Sequence, residues 1–307
     1  DPRQRLEDQR IVPGDFVSAL AFRLAQEGIA HAAIHTNLDA QFGGVSFALA
    51  GLLGLEGVTT LAPEAGMLKK LVVFVPTTHA NAVRQAMAEA GAGQIGAYRD
   101  CSFSTSGEGR FRPTEGTDPH VGTKGDVHME PEERIEVLVE RWALGRVVRA
   151  MQAAHPYEEV AYDVYAVEQS SRTIGYGAVG DLPDPMALDA FLARVASGVE
   201  AGVLRYSADP VATISRVAVC GGSGMSFFGA ALASGADAYV TADITYHRFF
   251  EPLDARGRSR MALIDAGHYE TEWVTERLIV DQLASVFSDL AVERTAHRTS
   301  PVQTFVL

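Results

Sequence analysis

At both ends of this 307-residue chain, short apolar runs alternate with segments of helical periodicity, and a stretch of different order separates the two ends. That arrangement restricts the fold strongly, because successive parallel strands need helical crossovers between them. Near the start, residues 15–26 place Phe16, Leu20 and Leu24 at helical spacing, with Gly28 as the stop. Residues 29–34 read as a short apolar strand running into His35, and residues 45–53 as a helix closed by Gly54. The alternation resumes with a helix over 186–196 and a strand over 217–220 that runs into Gly221-Gly222-Ser223-Gly224. Helix 227–234, strand 238–241, a helix start at 246–250, strand 261–264 and a long helix over 272–286 follow. Together these segments predict an α/β domain with a mostly parallel sheet.

The middle stretch has its own order. Strand 71–75, helix 79–90 and a hairpin over 98–113, turning at Ser106-Gly107-Glu108-Gly109, lead to strand 134–139, helix 144–153 and strand 160–167. Strand-helix-strand followed by strand-helix-strand is the ferredoxin-like α+β split repeat. The expected architecture is therefore a discontinuous α/β domain over 1–68 and 169–307, with a ferredoxin-like domain inserted over 69–168.

Bulk properties remove some classes of partner. A formal net charge of −13 opposes general affinity for nucleic acid or anionic membrane and leaves cation binding open. Cys101 and Cys220 lie far apart, without the close spacing of a thiolate metal site, and fit two reduced cysteines. No apolar stretch reaches the roughly 18 residues of a membrane span. The first five residues, Asp1 to Arg5, lack the apolar core of a secretion signal, so the expected location is cytoplasmic.

Chemistry concentrates where apolar strands end. His35 and Asp39, His268 and Glu272, and Asp243 and His247 each set a histidine and a carboxylate four residues apart. On a helix that spacing puts both side chains on one face, one turn apart. Imidazole with carboxylate suits a divalent transition metal, although Asp39 and Asp243 are equally good helix caps. The glycine run 221–224 can cradle a phosphate with its amides or serve as a tight turn. His155-Pro156-Tyr157-Glu158-Glu159 reads better as a proline-led turn after a helix than as a catalytic group.

The stretches HTNLD (35–39), GAGQIGAYRDCSFSTSGEGRF (91–111), AHPYEEVAYDVY (154–165), CGGSG (220–224), TADITYH (241–247) and DAGHYETE (265–272) carry a family resemblance. In this order they resemble the NGG-interacting-factor-three-like family, also called GTP cyclohydrolase I type 2 homologues or dinuclear metal centre hexameric proteins. The resemblance implies a two-metal site with Asp39, His268 and Glu272 among its ligands and Glu272 as the bridge. It gives His35 a supporting or proton-transfer role, implies a homo-hexamer, and makes the insertion similar to CutA-like or PII-like domains. The family's upstream His-His-Pro motif has no counterpart, since no two histidines are adjacent in this chain. The expectation is that an N-terminal segment is missing and that two ions per subunit require its ligands. Zinc, iron, manganese and nickel all suit the donor types.

The expected function is metal-dependent hydrolysis of a small, nucleotide-like substrate by metal-activated water, with His35 or His247 moving the proton. The alternative is a non-catalytic metal carrier or an oligomeric scaffold that engages other proteins. Neither calls for a membrane or for direct nucleic-acid contact.

Overall fold

The structure, a computed structural model, describes residues 14–171, 173–209 and 212–304. The opening residues Asp1 to Arg5, read above for a secretion signal, lie outside it. The chain falls into two compact units, Asp1–Leu38 and Asp39–Leu307.

In the first unit, α1 (Phe16–Gln26) begins because the Asp15 carboxylate accepts the backbone N–H groups of Val17 and Ser18, each at 3.0 Å. The strand expected over 29–34 does not form; Ile29 and Ile34 are exposed. An apolar run becomes a strand only when a neighbouring backbone takes its N–H and C=O groups, and none among the described residues pairs with this one. A single helical turn, α2 (Thr36–Asp39), spans the boundary.

The second unit holds two sheets. The larger contains β1 (Glu56–Pro63), β6 (Gly175–Ala187), β7 (Arg205–Ser207), β8 (Thr213–Val219), β9 (Ala238–Thr241) and β10 (Ala262–Asp265), in the order β1-β6-β8-β9-β10-β7. Only β8–β9 and β9–β10 run parallel, and the remaining described pairings are antiparallel. The sheet is therefore mixed rather than mostly parallel. The difference comes from β1, β6 and β7, whose sequences hide them: β6 carries Gly175, Gly177, Gly180, Pro183 and Pro185, all of which read as breakers.

Side chains alternate across the central strands, and both faces are buried there. Val217, Val219, Val240, Ala262 and Ile264 point to one face. There they meet Leu49 and Leu53, on and just after α3 (Val45–Leu52), and Phe191 and Val195 of α6 (Leu188–Gly198). Ala218, Tyr239 and Leu263 point to the other face, against Phe228 and Ala231 of α7 (Phe228–Ala233). Two-sided burial explains why β9, β10 and the second half of β8 are largely apolar and legible in sequence.

Between the neighbouring strands β1 and β6 the chain builds the second sheet: β2 (Leu68–Pro76), β3 (Ser102–Phe111), β4 (His128–Glu140) and β5 (Tyr162–Ala166), in the order β3-β4-β2-β5 and antiparallel throughout. Leu71, Val73, Val75, Ile135 and Val137 pack on one side against α4 (Ala80–Glu89) and α5 (Leu144–Ala154). The turn expected at residues 106–109 does not exist. β3 runs through it, paired from Ser102 opposite Val137 to Phe111 opposite His128, and the chain reverses over residues 112–127 instead.

Phe191 is completely buried between α6 and the larger sheet. Phe191→Ala should lower the free energy of unfolding by about 3–5 kcal/mol, measured by urea denaturation, with the fold retained.

Candidate metal centre at the strand ends

The parallel strands β8, β9 and β10 point their carboxyl ends the same way, and the loops that follow them carry the charged groups. His268 opens α8 (His268–Glu272), and Trp273 separates that turn from α9 (Val274–Val286). The expected i, i+4 geometry holds: His268 Nε2 lies 3.3 Å from Glu272 Oε2. Its other ring nitrogen, Nδ1, lies 2.6 Å from Asp243 Oδ2. Spacing along the chain pairs Asp243 with His247, whereas the fold pairs it with His268, 25 residues away.

Asp265 sets this arrangement. It ends β10, is buried, and pairs with Arg205 of β7. Its carboxylate also accepts the backbone N–H of Ile244 at 3.0 Å and that of Gly267 at 3.2 Å. The first bond fixes the loop in which Asp243 takes a left-handed backbone (φ 56°), and the second fixes the turn that launches His268. Burial by itself would lower the His268 pKa. The Asp243 hydrogen bond and the charges of Glu272 and Asp243 outweigh it, so the imidazole sits above its ordinary value.

The glycine run packs directly beneath. Gly221 N–H donates to Ser46 Oγ (3.4 Å), Gly222 N–H to Thr271 Oγ1 (3.0 Å) and Gly224 N–H to Thr241 Oγ1 (2.8 Å). With those amides bound to hydroxyls, the run is a tight turn and not a phosphate cradle. Gly222 has φ 62°, and a Cβ there would collide with the Glu272 carboxylate and stand 3.0 Å from His268 Nε2. Its missing side chain is the space these two groups use.

Asp39 belongs to the same neighbourhood by its field. Its charge and that of Glu272 both raise the Cys220 thiol, which burial foremost pushes up to about 11 despite hydrogen bonds from Tyr239 and Ser46. Asp39 also bears on Tyr176, after burial and Glu64. Among the described residues, no group of three or more His, Cys, Asp or Glu side chains is assembled as a metal cage. His268 and Glu272 nevertheless suit a divalent ion, because the carboxylate behind Nδ1 orients Nε2 as in histidine–metal sites, and Gly222 lets the Glu272 carboxylate lie beside Nε2. His247 lies on the turn Tyr246–Phe250, its ring 5.5 Å from that of Tyr246. His35, in the first unit, donates its backbone N–H to Asn37 Oδ1 at 2.9 Å.

The profile of the Duf34/NIF3 (NGG1p interacting factor 3) family matches residues 7–301. A GTP cyclohydrolase 1 type 2 homolog of Mycobacterium leprae (strain TN) is 42% identical over 290 residues, covering 92% of this chain and 74% of that protein. One from Bacillus subtilis (strain 168) is 38% identical over 262 residues, covering 85% and 69%. The crystal structure of a Bacillus cereus protein related to NIF3 superposes with a TM-score of 0.81 at 34% identity, over 96% of this chain and 79% of that one. The chain belongs to the Duf34/NIF3 family. Among the described residues, no helix is long and apolar enough to cross a membrane.

Two outcomes follow from the geometry. Gly222→Ala should destabilise the fold by about 1–3 kcal/mol in chemical denaturation, from strain at positive φ and displacement of Glu272. Alkylation at about pH 8, read by peptide mass spectrometry, should label Cys101 and spare Cys220, whose raised pKa leaves roughly one thiol in a thousand ionised.

Proposed function

We propose that this member of the Duf34/NIF3 family binds divalent metal through His268, Glu272 and Asp39 and hydrolyses a small, nucleotide-like substrate. The supporting observation is His268 held between two carboxylates, Asp243 behind it and Glu272 before it, over the space left by Gly222. The relatives named GTP cyclohydrolase 1 type 2 homolog suggest the substrate class. Bound divalent metal supplies Lewis acidity toward water and substrate.

The residues of the chain do the rest. Asp243 holds the imidazole so that Nε2 faces outward, and Asp265 with Arg205 keeps both loops in place. Glu272 would supply carboxylate oxygens to hold the ion, and Asp39 would add a further negative charge. His35 and His247 are proposed as proton carriers, each to be tested by substitution with alanine. The site loops would be grouped on a discontinuous domain, 1–68 and 169–307, with residues 69–168 as an inserted ferredoxin-like, CutA-like layer. The βαββαβ order and the β3-β4-β2-β5 arrangement support that assignment. We propose a homo-hexamer as the assembly, to be read from light scattering after size exclusion.

Elemental analysis and turnover assays on the metal-loaded protein test the reading. Glu272→Ala should lower metal affinity roughly 10–100-fold and abolish hydrolysis of GTP or related nucleotides. Asp243→Asn, which tolerates the same left-handed backbone, should lower affinity by a similar factor while leaving the unfolding midpoint near wild type. Metal-loaded wild type that turns over no nucleotide would leave the carrier or scaffold in its place.

A further inference from the structure

A second cluster of polar and aromatic groups lies in the four-stranded layer, and the proposed metal chemistry does not use it. The end of β3, the 112–120 segment and the turn before β5 enclose a cleft of about 310 Å³, at the lower end of the size range of small-molecule sites. Its walls are largely apolar, with Phe111, Pro113, Pro119 and Ala161 among the lining residues. Three rings meet there: Tyr157 packs edge-on to Phe111 at 5.7 Å and stands 6.2 Å from His120. Into this apolar setting the chain brings one buried carboxylate, Glu132, only 8% exposed.

Several features keep that carboxylate where it is. Tyr157 donates its hydroxyl to Glu132 Oε1 at 3.2 Å. Gly109, a diagonal neighbour on β3, has no side chain where the Glu132 carboxyl lies; a Cβ there would collide with it. The turn itself is clamped. His155 donates from Nε2 to the Phe74 carbonyl (2.9 Å) and accepts the Tyr157 N–H at Nδ1 (3.1 Å), while Glu158 accepts the Asp118 N–H at 2.9 Å and ties down the outer segment. His155 thereby anchors the turn, and burial, helped by the nearby His79 and His120, lowers its pKa against the Phe74 hydrogen bond. Burial raises the Glu132 carboxyl, against the Tyr157 hydrogen bond and together with the charge of Glu130.

Burial penalises the ionised form of this carboxyl, and a cation whose N–H groups pair with it offsets that penalty. Among the lining residues the acids Glu132, Glu158 and Glu159 outnumber the arginines Arg110 and Arg112, and the Arg110 guanidinium lies 3.4 Å from the Met129 sulfur. We propose that this cleft binds a small, flat aromatic cation, an amidine or amine, whose N–H edge pairs with Glu132 while its ring packs among Phe111, Tyr157 and Pro119. The proposal does not depend on the metal reading, since it uses none of the groups placed at the strand-end site.

Benzamidine is a suitable probe and benzoate its anionic counterpart of the same shape. Calorimetric titration of the full chain should show saturable benzamidine binding in about the millimolar range, as expected for so small a ligand. Glu132→Gln should weaken binding about tenfold or more, the loss of one charge-assisted hydrogen bond. Ala161→Phe, which fills the cleft from an exposed position and keeps the carboxylate, should abolish it; circular dichroism and the unfolding midpoint check that both variants are folded. Should Glu132→Gln fail to fold, Ala161→Phe carries the test. No benzamidine binding overturns the proposal, as does equal binding by a folded Glu132→Gln or by Ala161→Phe, or benzoate binding as tightly as benzamidine.

Discussion

Asp265 is the group on which the strand-end site depends. One buried carboxylate at the end of β10 receives Arg205 from the neighbouring strand, the Ile244 amide from the loop after β9, and the Gly267 amide at the start of α8. Those partners come from three separate stretches of chain, so a single side chain sets their relative positions. Stranding the buried Ile244 amide would cost about 1–3 kcal/mol, and Asp243 would lose the constraint that holds it in a left-handed backbone. The pairing of Asp243 with His268 therefore follows from Asp265.

The same economy appears in the glycine run. Hydroxyls of Ser46, Thr241 and Thr271 take its amides, and Tyr239 donates to the Gly224 carbonyl at 2.6 Å. A loop so saturated is rigid and closely packed, which lets Glu272 and His268 rest directly on Gly222. The charged groups stay partly exposed while the scaffold under them is buried, a division suited to reactive residues on a fixed support.

Much of this was legible in the sequence, for identifiable reasons. β9, β10 and the second half of β8 are buried on both faces, so they appear as largely apolar runs. The face shared by His268 and Glu272 follows from helical pitch alone. β1, β6 and β7 escaped notice because they lie toward the sides of the sheet and tolerate glycine, proline and polar residues. The apolar run 29–34 looked like a strand because composition reports burial potential and cannot report whether a pairing partner exists. Gly107 and Gly109 look like turn residues in the sequence; at Gly109 the lack of a side chain instead makes room for Glu132, a cross-strand neighbour 23 residues away.

By itself, the sequence determined most of the helices, the central strands and the face shared by His268 and Glu272. Periodicity and i, i+4 spacing are properties of neighbouring residues, and they survive without knowledge of the fold. Only the tertiary structure decided that the sheet is mixed, that Asp243 serves His268 and not His247, and that the glycine amides are already occupied. Each of those outcomes depends on residues distant in sequence competing for the same hydrogen-bonding group. Only the assembled fold settles that competition.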